Sequence, residues 1–142
     1  MKRAKNISTT TQFLNVDLDV YSTSNLQSLI TALGKKVFVL HAGRDKRTYS
    51  AHLELARDTK NADAAISRFC DLIAALPKAQ RDLWDTAKVR DFNIGVQAGM
   101  HPHCFEIELE EVTVQAASEI HARIVFTVYA PETGQKRSSR KT

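Results

Sequence analysis

Three stretches of this 142-residue chain alternate apolar and polar residues without a break, and few patterns restrict a fold more. Leu14, Val16, Leu18 and Val20 alternate with Asn15, Asp17 and Asp19. Tyr49, Ala51, Leu53 and Leu55 alternate with Ser50, His52 and Glu54, and Phe92, Ile94, Val96 and Ala98 with Asn93, Gly95 and Gln97. Successive side chains of a strand point to opposite faces, so each stretch has one face for a core and one for water. The expected fold class is α+β: a mixed, largely antiparallel sheet with helices packed on one face and the other face open. That open face carries carboxylates.

Between the strands the pattern changes to helical spacing. Ser22-Thr23-Ser24 offers N-caps, Leu26, Leu29, Ile30 and Leu33 follow at i, i+3, i+4 and i+7, and Gly34 supplies the stop. Val37–Ala42 is apolar on both faces and reads as an interior strand, joined through the polar loop 43–47 to the Tyr49–Leu55 strand. A helix starting at Asn61 or Asp63 presents Ala62, Ile66, Phe69, Cys70, Ile73 and Leu76, and Pro77 ends it. A short helix near Gln80–Thr86 turns Leu83 and Trp84 inward, Trp84 as a core plug. Phe105, Ile107 and Leu109 alternate with Glu106, Glu108 and Glu110, which predicts one more half-exposed strand. Val112, Ala116 and Ile120 mark a last helix before a closing strand, Ala122–Tyr129. Leu53, Phe69, Phe92, Ile94 and Phe126 are the expected core. Strand–helix–strand units of this order suggest a ferredoxin-like sandwich. Lys36-Val37-Phe38-Val39-Leu40 and Arg123-Ile124-Val125-Phe126-Thr127 hint at an internal duplication.

The formal charge of +4 misdescribes the folded part. Residues 1–11 and 132–142 each carry +3, whereas residues 12–131 hold 13 basic and 15 acidic side chains. A single α+β domain over 12–131 with basic flexible tails is therefore expected. A body with net charge −2 lacks the basic stripe that phosphate neutralisation requires, so no specific nucleic acid is expected. Two cysteines make no disulfide framework, no apolar run is long enough for a bilayer, and no secretory h-region is seen; the expectation is a cytoplasmic protein without membrane contact.

Trp84-Asp85, the run Arg90-Asp91-Phe92-Asn93-Ile94-Gly95 and the closing Ile124–Tyr129 strand carry a resemblance. In these the chain resembles small bacterial proteins of a conserved domain family of unknown function, over roughly residues 13–130. The resemblance implies an α+β sheet with a helix before a final strand ending in Tyr, and an immunity or accessory role; it carries over no functional residue.

Two constellations bear on chemistry. Asp17 and Asp19 share a strand face, and with His52, Glu54, Glu106 and Glu108 they define a candidate binding surface. Paired carboxylates can divide acid and base roles or hold a hard cation, but on a solvated face their pKa values are not driven apart, and a polar outer face is the plainer reading. His101, His103 and Cys104 place three metal-ligating side chains within four residues, a candidate metal site for which a loop with incidental histidines is the alternative. Phosphate-cradling glycine loops and nucleophile elbows are absent, and no cofactor is implied. The function expected is a non-enzymatic protein-binding or accessory module. The alternatives are a small-ligand regulatory domain and a metal-dependent enzyme using the His101–Cys104 loop. The expected partner is a protein, a second copy of the chain included.

Overall fold

The computed structural model describes residues 10–131. The tails expected at 1–11 and 132–142 lie outside these residues except for Thr10 and Thr11. Those two are tied down: Thr10 bridges His101, the Thr11 N–H donates to the His101 carbonyl at 2.6 Å, and the Thr11 hydroxyl accepts from the Gly99 N–H at 3.0 Å.

The elements are β1 (Gln12–Ser22), α1 (Gln27–Leu33), β2 (Val37–Asp45), β3 (Thr48–Leu55), α2 (Ala62–Ala74), α3 (Lys78–Asp85), β4 (Val89–Gln97), α4 (Glu111–Glu119) and β5 (Arg123–Tyr129), with a turn of 3-10 helix over Gly34–Lys36. They build an α+β fold on one five-stranded sheet of order β2-β3-β1-β4-β5. The pairs β2–β3, β3–β1 and β1–β4 are antiparallel, and β4–β5 is parallel. Two strand–helix–strand connections therefore interleave: β1 and β2 run the same way with β3 between them, and β3 and β4 run the same way with β1 between them. A third connection, through α4, adds β5 beside β4.

The alternation places the core as expected for the three inner strands. Val16, Leu18 and Val20 of β1, Ala51 and Leu53 of β3, and Phe92, Ile94 and Val96 of β4 are buried under the helices. Phe69 of α2 stacks on Phe92 with ring centroids 5.5 Å apart, and Ile66, Ile73 and Leu29 complete the layer. α2 packs on β1 and α4, and α1 on α3. Cys70 is buried in α2, and burial pushes its thiol up to about 11, with Asp71 adding to the effect. It stays protonated and inert at neutral pH.

Five expectations change. Leu14 is exposed, because a register shift between Phe13 and Asn15 bulges β1 opposite Gly95 and sets Phe13 against Val96 in its place. Val37–Ala42 is an edge strand rather than an interior one: among the described residues it pairs only with β3, and Phe38, Val39 and Leu40 are exposed. Residues 105–110 pair with no strand among the described residues, because β5 occupies the position beside β4; their alternation instead turns Ile107 and Leu109 onto the core as an extended lead into α4. Phe126 lies on the helix side of β5, level with Ile94, yet it is exposed because β5 lies beyond the helices. The start of α1 is set by Asn25, whose side chain accepts the Gln27 N–H at 2.8 Å, whereas Ser22 accepts the Ser24 N–H within the turn.

One seam joins the second half of the chain to the first. Trp84 is fully buried, and its indole N–H donates to the Ile120 carbonyl at 2.7 Å. The Arg90 guanidinium donates to the carbonyls of Trp84, Ala87 and His121, tying the ends of α3 and α4 to the start of β4. Replacing Trp84 with Phe leaves the Ile120 carbonyl without its donor, which should cost about 1–3 kcal/mol. Phe92→Ala should cost more, about 3–5 kcal/mol, by opening a cavity between α2 and the sheet. Urea denaturation followed by circular dichroism measures both; a Trp84→Phe variant as stable as wild type would show that the seam adds nothing beyond packing.

Candidate functional site

The open face of the sheet carries the only concentration of carboxylates that the strand registers assemble from separate strands, among the described residues. Two registers define it. In one, Phe38, Glu54, Asp17, Asn93 and Val125 stand side by side across all five strands. In the next, His41, His52, Asp19, Asp91 and Arg123 do the same. These residues point to the side of the sheet opposite the helices, where Asp91 is itself buried.

At the end of the second row, Asp91 takes the Arg123 guanidinium in a two-pronged bond, Nε and Nη2 each 2.8 Å from a carboxylate oxygen. Asp19 bonds His52 Nδ1 at 2.8 Å. The Tyr21 hydroxyl stands 3.5 Å from the other ring nitrogen, Nε2, at the outer limit of a hydrogen bond. The Tyr21 and His41 rings flank His52 at 5.5 and 5.7 Å between centroids. Neighbouring Asn93 accepts the Thr127 hydroxyl at 2.8 Å.

Asp17 and Glu54 are held differently. The Asn15 amide bridges them, donating to Asp17 at 2.8 Å and to Glu54 at 3.2 Å. Among the described residues no Lys or Arg forms a salt bridge with Asp17, Asp19 or Glu54. Burial in the half-covered face lifts the Asp17 carboxyl above its ordinary value of 3.8, and the like charges of Asp19 and Glu54 lift it further; the Asn15 amide and His52 pull the other way. The face is thus less solvated than its position opposite the core suggests.

The structure brings together four of the residues singled out by sequence, Asp17, Asp19, His52 and Glu54. Glu106 and Glu108 are elsewhere: in the extended lead to α4 they line a cleft of about 380 Å³ beside Lys60 and the start of α2. Their strand was expected in the sheet, and without a ladder partner it does not reach the open face. His101, His103 and Cys104 are exposed in the loop after β4, where the His101–Pro102 peptide is cis. Among the described residues no three His, Cys, Asp or Glu side chains are placed to hold a metal ion. Asn15, Tyr21, Asp91 and Arg123 complete the face and were not among the expected site residues; alternation placed Asn15 on the face of Asp17 and Asp19, but its partners depend on register. No family model, no curated protein and no solved structure matches the chain. No helix among the described residues is long and apolar enough to cross a membrane.

The sign of the Asp17 shift gives a pH prediction. A carboxyl whose folded pKa is raised makes the fold take up a proton, so its ionisation lowers stability as pH rises from 3.8 through the raised value. The penalty is fully present at neutral pH. Asp17→Asn, which keeps an acceptor for Asn15, should raise Tm at pH 7 by on the order of one or two degrees, since partly exposed changes rarely exceed about 0.5 kcal/mol. The difference should shrink as pH falls towards 3.8. Thermal melts of both proteins across that range check it; an Asp17→Asn protein less stable than wild type at pH 7 would mean the carboxylate is needed for folding.

Proposed function

We propose that the chain is a non-enzymatic protein-binding module that docks a basic segment of a partner on the open face of its sheet. The observation that carries this reading is the trio Asp17, Asp19 and Glu54, three carboxylates that no Lys or Arg among the described residues binds. Burial, and after it the like charges of Asp19 and Glu54, already raise Asp17, so an arriving cation relieves the repulsive part of that cost. Exposed Phe38 and the Tyr21 and His52 rings supply flat surface beside the charges. The accessory or immunity role implied by the resemblance, and a cytoplasmic setting, belong to this same proposal. So does the finer fold assignment: β1 to β4 form a ferredoxin-like unit, and the parallel attachment of β5 favours an appended α4–β5 unit over a duplication.

Affinity purification from the native host at low salt tests the reading. The wild-type chain should recover a specific partner that Asp17→Asn with Glu54→Gln fails to retain, and added salt should weaken recovery. An identical set of proteins on wild type and variant, across a salt series, would remove the acidic face from consideration.

One observation favours the small-ligand alternative. A cleft of about 650 Å³ is lined by Lys35, Lys36, Arg57 and Arg68 beside Leu55, Ala56 and Thr59, with no acidic side chain of the described residues in its wall. Its size suits a small molecule and its charge an anion. Inorganic pyrophosphate should then raise the Tm of wild type and leave an Arg57→Ala, Arg68→Ala protein unchanged; an equal response in both would dismiss the cleft.

A further inference from the structure

We infer that two copies of this chain join along β5, extending the two sheets into one of ten strands. β5 is the outer strand beside β4, so one of its edges has no partner strand among the described residues. Its orientation can be read from one bond. The Ala98 N–H donates to the Tyr129 carbonyl at 2.9 Å, which turns the Tyr129 backbone towards β4. Strand residues alternate in this respect, so Val125 and Thr127 also turn inward, while Ile124, Phe126 and Val128 offer their N–H and C=O groups outward. The same three residues carry apolar side chains on the helix side of the sheet. Phe126 is 54% exposed and Val128 61%.

Exposed sheet edges are ordinarily protected by charge, proline or a bulge. The opposite edge follows that rule. β2 is preceded by Lys35 and Lys36, shifts register between Val39 and His41, and ends in Arg44 and Asp45. β5 does not: its register with β4 is unbroken, and from Ile124 to Tyr129 it holds no charged residue and no proline.

The occupant that fits is a second β5 running antiparallel. Centred on Phe126, this register pairs Phe126 with the partner's Phe126 and Ile124 with the partner's Val128, and all three outward-facing residues bond across the axis. The helix side becomes one apolar strip. On the open side Val125 meets the partner's Thr127, and Arg123 lies opposite the partner's Tyr129, a cation beside an aromatic face. A seven-residue strand pair is a small interface, so association in the micromolar range is expected.

Sedimentation of the full chain between about 1 and 200 µM tests the inference, across the micromolar range such an interface would occupy. Wild type should move from 15.9 kDa towards twice that mass. Phe126→Glu and Phe126→Lys should each remain monomeric at the concentration where wild type is dimeric, because two like charges then meet at the axis. Mixing these two variants should restore a dimer. Circular dichroism melts confirm that they fold; should either fail to, Val128→Glu and Val128→Lys test the interface from its flank, with monomers again expected. Wild type that stays monomeric at the highest concentration overturns the inference, as does a dimer that survives the charged substitutions.

Discussion

Everything on the open face depends on the burial of one side of β1. It is the central strand, paired on both edges and covered by α2, and Val16, Leu18 and Val20 all but vanish from solvent. A strand held this way has no freedom of register, because a slip of one residue would carry Asp17 and Asp19 into the core and expel three aliphatic side chains. Fixing β1 fixes its neighbours. His52 must then stand opposite Asp19 and Glu54 opposite Asp17 on one edge, with Asp91 and Asn93 on the other. The acidic trio is thus a direct consequence of core packing on the far side of the sheet. What is specific to this sequence is that its polar positions are carboxylates, so that packing forces like charges together and Asn15 and His52 only partly offset them.

How much of this was legible before the structure follows from what alternation reports. It tells which face a residue occupies, and for β1, β3 and β4 that was enough to name the core and four members of the site. It does not report which strands are neighbours. Val37–Ala42 has the composition of an interior strand and stands at the edge, because the β2–β3 hairpin places it there. Phe126 was put on the correct face, but whether that face is covered depends on where the helix layer ends. Glu106 and Glu108 show the same gap from the other side: their alternation is real and orients Ile107 and Leu109, yet with the place beside β4 taken by β5 it is not a sheet alternation. Asp91 and Arg123, 32 residues apart, meet only through the parallel β4–β5 register, which no local pattern encodes.

The short motifs that carried the family resemblance serve the α4–β5 unit. Trp84 and Arg90 bond to the carbonyls that end α4, and Asp91 bonds to the first residue of β5. A parallel edge strand gains less from its ladder than an antiparallel one, and on the helix side of this one Ile124 packs against the core while Phe126 and Val128 are exposed. Side-chain bonds to Ile120, His121 and Arg123 hold its entry point against β4. These residues fix where β5 begins.

The two proposals constrain each other geometrically. A pair of chains joined through β5 about an axis normal to the sheet keeps both open faces on the same side. From Asp17 to its copy the path crosses five strand spacings, which with a small axial offset comes to about 25 Å at about 4.8 Å per spacing. An extended segment of roughly eight residues covers that distance at about 3.3 Å per residue. One basic segment could then engage both acidic trios, and the second contact would form at the high effective concentration set by the first. Charge-mediated docking that is weak on a single face gains strength from pairing without any new contact. Loss of the β5 interface should therefore weaken partner capture even with Asp17, Asp19 and Glu54 intact, whereas neutralising those residues should leave the mass of the dimer unchanged.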